Sequence, residues 1–77
     1  MYSKKKESSK KEFGRIVKAI RLGQHLTVRD VSHNCALDNS KISKIENGKM
    51  NICLSTIVEL AHGLGVHPSD LLKGLFE

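Results

Sequence analysis

The sequence has no run of about 18 apolar residues, the length a helix needs to cross a bilayer. The lysines near its start are not followed by an apolar stretch, so neither a membrane span nor a secretion signal is expected. The expectation is a cytoplasmic, nucleoid-associated protein that does not partner a membrane. Cysteine is scarce. Cys35 and Cys53 lack CxxC spacing, and in a reducing compartment both read as free packing residues. Neither they nor the four histidines, His25, His33, His62 and His67, stand at a familiar ligand spacing, so no metal and no cofactor is expected. No nucleophile, base and orienting group can be assembled, and 77 residues leave no cleft of useful size, which sets an enzyme aside. No segment alternates apolar and polar residues as a half-buried strand does. What remains is one small all-α domain, able to bury only about 60 to 65% of its unfolded surface.

Positive charge is what the chain has in excess. Thirteen Lys and Arg against eight Asp and Glu give +5, which favours polyanions, whether nucleic acid or an acidic membrane. Residues 1–11, MYSKKKESSKK, hold five lysines and one glutamate with no apolar residue beyond the first two. Such a segment cannot offset its ordering entropy, and it reads as a flexible arm ahead of a folded domain over 12–77. Two roles stand open for Lys4, Lys5, Lys6, Lys10 and Lys11: conferring solubility, or wrapping a duplex and contacting its phosphates.

From Glu12 the pattern changes. Phe13, Val17 and Ile20 recur at i, i+4, i+7, which marks a first helix ending near Gly23 to His25. Thr27 and Asp30 form a capping-box pair that opens a second helix running to about Cys35. Asp38 caps a third over 39–47, and Gly48 ends it in a left-handed turn. Leu54, Ile57, Leu60, Ala61 and Leu64 keep a 3.6-residue period through a fourth, with Gly65 at its end and Gly63 expected to fray its last turn. Pro68 opens a short fifth helix carrying Leu71 and Leu72.

On a wheel at about 100° per residue, Ile42 and Ile45 of the third helix point together into the core. Ser40, Lys44 and Asn47 lie opposite, with Lys41 and Ser43 at the flanks. All can donate hydrogen bonds and none is acidic, a set that fits phosphate oxygens and base-edge acceptors in a major groove. A solvated helix face of no function would also be polar. The context favours recognition, because two short helices joined by a tight turn through Ala36, with apolar residues at Val31, Leu37, Ile42 and Ile45, have the spacing of a helix-turn-helix.

At this point the chain resembles the phage repressor and Cro type of helix-turn-helix domain, the XRE family, over roughly Phe13 to Leu72. FGRIVKAIR is similar to the first helix of that family, LTVRDVSHNCALDNSKISKIENGK to its DNA-reading motif and LSTIVELAHGLGVHPSDLL to its last two helices. The resemblance implies a compact five-helix, lambda-repressor-like domain that binds double-stranded DNA. It implies that Asn39, Ser40 and Lys44 face bases with Ser43 and Lys41 beside them, that Asn47 and Lys49 meet phosphate, and that Arg21 and Glu46 form a buried ion pair. Where the family carries glutamine this chain has Val28, so Arg29 or backbone N–H groups of the second helix take over that phosphate. His25 replaces a common glycine and is expected to accept a positive φ.

Relatives dimerise through the C-terminal region, which makes Leu75 and Phe76 an interface for a homodimer on a palindromic operator; folding back over the core is the other option for them. The function expected is sequence-specific transcriptional regulation, as a repressor. Two alternatives stand beside it: an antitoxin that neutralises a toxin while binding its own operator, and a restriction–modification controller.

Overall fold

In the computed structural model, which describes the backbone of residues 6–76 and the side chains of residues 9–75, five α-helices follow one another and no strand occurs among the described residues. They are α1 (Lys6–Gly23), α2 (Val28–His33), α3 (Asn39–Glu46), α4 (Leu54–Leu64) and α5 (Pro68–Leu72), followed by a 3-10 turn over Lys73–Phe76. The all-α, five-helix class expected from the periodicities is the one observed.

Each boundary has a local cause. Thr27 Oγ1 accepts the Asp30 N–H at 3.0 Å while Asp30 Oδ2 accepts the Thr27 N–H at 2.8 Å, the reciprocal cap that starts α2. Hydrogen bonding to the carboxylate from the Thr27 backbone N–H, and secondarily from the Thr27 hydroxyl, holds the Asp30 carboxyl below its usual pKa. Asp38 Oδ1 accepts the Lys41 N–H at 2.8 Å and starts α3. The helix closes at Gly48, φ 71°, where the Lys49 N–H returns to the Lys44 carbonyl at 2.9 Å. α4 closes the same way at Gly65, φ 71°, with the Val66 N–H on the Ala61 carbonyl. α1 ends through His25, whose φ is 60°, the one non-glycine residue with positive φ among the described residues. Pro68 leads α5, capped by His67 Nδ1, which accepts the Ser69 N–H at 3.1 Å.

The core is a single cluster. Val17, Val31, Ile42, Ile45, Leu60, Leu64 and Leu71 are the largest side chains fully withdrawn from water, and Phe13, Leu37 and Ala61 complete it. Burial of each such large apolar side chain contributes about 1.5–3 kcal/mol against chain entropy.

Three expectations need correcting. The first helix begins at Lys6, not Glu12, so the residues from 6 to 11 that read as a flexible arm are helical. Apolar content gave no reason to expect this; the backbone at Lys11 is seated on Gly48, a contact no local pattern reveals. Lys4 and Lys5 lie outside the described residues, as does the side chain of Lys6. The last turn of α4 does not fray at Gly63: that residue is buried, and a Cβ there would come within 2.9 Å of Val31 Cγ1 and the Val31 carbonyl oxygen and 3.1 Å of Cys35 Sγ. The missing side chain is what lets α4 lie against α2. Finally, Cys35 is half-buried against the core as a packing residue, but Cys53 is exposed, at the N-cap of α4.

Candidate nucleic-acid interface

The face of α3 is divided cleanly. Ile42 and Ile45 are buried, whereas Asn39, Ser40, Lys41, Ser43, Lys44 and Asn47 are all exposed. Asn47 is the C-cap, its N–H shared between the Ser43 and Ile45 carbonyls, and the residue is exposed. Lys49 is exposed in the loop that follows. Beside α3 lies a shallow notch of about 280 Å³ bounded by Asp38, Ser40, Lys41, Lys44 and Met50. Asp38 is the one acid on its rim, and one of its oxygens is spent on the Lys41 N–H. The remaining rim presents a hydroxyl, two ammonium groups and a thioether.

What aims this face is a fork between α1 and α3. Arg21 Nε donates to Glu46 Oε2 at 2.7 Å and Nη2 donates to Glu46 Oε1 at 3.0 Å, with the two side chains only 10% and 6% exposed. Nη1 donates in addition to the Leu26 carbonyl at 2.9 Å, so one guanidinium ties α1, α3 and the segment entering α2. The hydrogen bonds to Glu46 outweigh the burial of the guanidinium and raise its pKa above the ordinary arginine value, so it is charged at every accessible pH.

Two further ties hold the helix-turn-helix in place, and neither is visible in the sequence. Glu59 Oε1 of α4 accepts the Ala36 N–H at 2.9 Å, fixing the turn itself. Gln24 Nε2 donates to the Leu64 carbonyl at 2.8 Å, joining the end of α1 to the end of α4. The partners stand 23 and 40 residues apart, beyond the reach of any spacing argument. A further contact comes from Gly14: a Cβ there would collide with the Ile45 carbonyl oxygen and lie 2.6 Å from that of Glu46, so α1 and α3 approach backbone to backbone. Val28 packs against the core and Arg29 is exposed at the start of α2.

Leu75 is half-buried and lines a groove of about 370 Å³ with Phe13, Ile52, Ile57 and Leu72. The Phe76 side chain lies outside the described residues. Next to Ile57 on α4, Leu54 and Val58 stand 74% and 47% exposed, one turn apart. The outer surface of α4 carries no Lys or Arg, and its single acid, Glu59, is turned to Ala36. Among the described residues no helix is long and apolar enough to cross a membrane.

With this geometry established, comparison with known proteins gives consistent results. A helix-turn-helix family model matches residues 17–71. The control protein C.BamHI of Bacillus amyloliquefaciens is 38% identical over 61 residues, covering 78% of this chain and 75% of that one. The crystal structure of the restriction-modification controller C.AhdI from Aeromonas hydrophila superposes with a TM-score of 0.79 at 26% identity, over 83% of this chain and 97% of that one. The controller C.Esp1396I, solved as a tetramer in complex with its natural 35-base-pair operator, superposes at 0.78 with 25% identity, over 90% and 96% of the two chains.

Proposed function

The chain belongs to the helix-turn-helix family of DNA-binding transcriptional regulators, and from that premise we propose that it controls a restriction–modification locus by occupying an operator as a pair of subunits. The observation that carries this reading is the outward face of α3, where six exposed positions, Asn39, Ser40, Lys41, Ser43, Lys44 and Asn47, supply donors and no acid while the buried Arg21–Glu46 fork fixes the helix on its scaffold. Asn39, Ser40 and Lys44 are assigned to base edges, with Ser43 and Lys41 beside them. Asn47, Lys49 and Arg29 are assigned to phosphates, which position the domain without reading sequence. Support for the locus comes from the 38% identity to the control protein C.BamHI.

A two-fold pair would set two copies of α3 about 34 Å apart, one turn of the duplex, so the operator is expected to be palindromic. Leu75, with the exposed Leu54 and Val58 on α4, provides apolar surface for the second copy on a chain whose charge of +5 otherwise opposes self-association. Phe76 is assigned to the same contact.

The test is selection of random duplexes by binding at two salt concentrations, repeated with the Lys44→Ala/Asn47→Ala double variant. The wild type is expected to enrich a palindrome, and the variant to fold normally and bind that duplex at least tenfold more weakly. Undiminished binding by a folded double variant would overturn the assignment of α3.

A further inference from the structure

The lysines near the start of the chain were assigned no fixed place by sequence, yet the structure gives one of them a definite seat. A Cβ added at Gly48 would come within 2.7 Å of Lys11 Cγ, 2.9 Å of its Cα and 3.2 Å of its N. The backbone of α1 therefore rests directly on the loop that closes α3, and Gly14, one turn further on, rests on the carbonyls of Ile45 and Glu46. Lys11 is thus anchored at its Cα, over the glycine that Asn47 and Lys49 flank, and all three side chains are exposed.

We propose that Lys11 is a fixed phosphate-binding residue, forming with Asn47 and Lys49 a cationic ledge at the trailing end of α3 that grips the duplex backbone beside the groove. This rests on the reading that α3 enters that groove.

The local charges support an anion from outside the chain. Glu46 is consumed by Arg21 and Glu12 by Arg15, the latter at 3.3 Å, and Lys11 and Lys49 enter no ion pair among the described residues. Residues 47 to 53 contain no acid. The carbonyls at the end of α3 place partial negative charge here, so a phosphate can approach only if cations outweigh them, and two ammonium groups do. Being held by backbone packing, Lys11 loses less freedom on binding than a lysine on a loose arm, so more of its electrostatic gain survives as affinity. The ligand is a phosphodiester of any sequence, because an ammonium on a long stem is a point charge with no base-reading geometry.

Lys11→Gln tests this, since it keeps the stem that lies on Gly48 and removes only the charge. Against both the selected duplex and a scrambled one, the slope of log K on log[salt] should become shallower by about 0.9, the value for one phosphate contact, and affinity at about 0.1 M salt should fall roughly threefold, the loss equal on both duplexes. Lys11→Arg should retain the wild-type slope. An unchanged slope in Lys11→Gln overturns the proposal, as does a loss confined to the selected duplex; a lowered Tm with an unchanged slope assigns Lys11 to the α3 terminus alone and overturns it too. Lys44→Ala measured in parallel separates the two readings: if it is silent, the groove assignment falls, whereas silence of Lys11→Gln alone removes only the ledge.

Discussion

A single guanidinium carries more of the geometry of the exposed α3 face than any side chain on that face. Arg21→Met would leave Glu46, 6% exposed, as an uncompensated buried carboxylate, at a cost of about 3–5 kcal/mol. Urea unfolding should show this as a lowered midpoint, with the Arg21→Met/Glu46→Leu double variant recovering part of it; a single-variant loss below about 1 kcal/mol would put the pair in the class of surface bridges. Arg21→Lys should not rescue, because three nitrogens of the fork are in use. Cys53 offers a second test among single residues. Hydrogen bonds from the Ser55 hydroxyl at 3.2 Å and the Thr56 hydroxyl at 3.4 Å stabilise its thiolate and bring the pKa from 9.0 to about 6. A lowered pKa populates the thiolate above that value, so alkylation by iodoacetamide should rise to half its maximal rate near pH 6 in the wild type and vanish at this site in Cys53→Ser. A midpoint above pH 8 would contradict the bonding around the sulfur.

At the scale of helices, the close passage of α1 over α3 is the contact that tolerates least. Gly14→Ala would drive a methyl into the carbonyls of Ile45 and Glu46, backbone atoms that cannot rotate away, and should destabilise the fold by about 1–3 kcal/mol, the usual cost of overpacking. Thermal unfolding checks this, with Gly23→Ala as the control, since a Cβ at Gly23 meets nothing within 4 Å. The same contrast explains what could be read from the chain. Caps were legible because they are written within three residues: Thr27 with Asp30, Asp38 ahead of Lys41, Gly48 and Gly65 at left-handed positions. The face of α3 was legible because Ile42 and Ile45 fix its rotation. The start of α1, the packing role of Gly63 and the Glu59 tie to Ala36 were not, since each depends on a neighbour far along the chain. His25 shows the limit from the other side: its positive φ was inferred from resemblance to a family with glycine there, and nothing in its own chemistry required it.

For the molecule as a whole, the distribution of charge separates its surfaces. Lys41, Lys44 and Lys49 are exposed on α3 and its closing loop, while α4 has no Lys or Arg and leaves Leu54 and Val58 in water. Leu54→Glu at a residue 74% exposed should not disturb the core, but it should shift sedimentation of the proposed dimer to monomer and abolish any cooperative occupation of paired half-sites. A monomeric wild type, or a variant that sediments unchanged, would remove this surface from the assembly. The triple attachment of Arg21 to Glu46 and the Leu26 carbonyl also bears on protein engineering. A segment spanning residues 27–49 transplanted onto another scaffold would carry the residues proposed to read DNA but leave behind the clamp that sets their angle. Specificity in this chain is therefore not portable as a peptide; a chimaera that preserves it must import α1 as well.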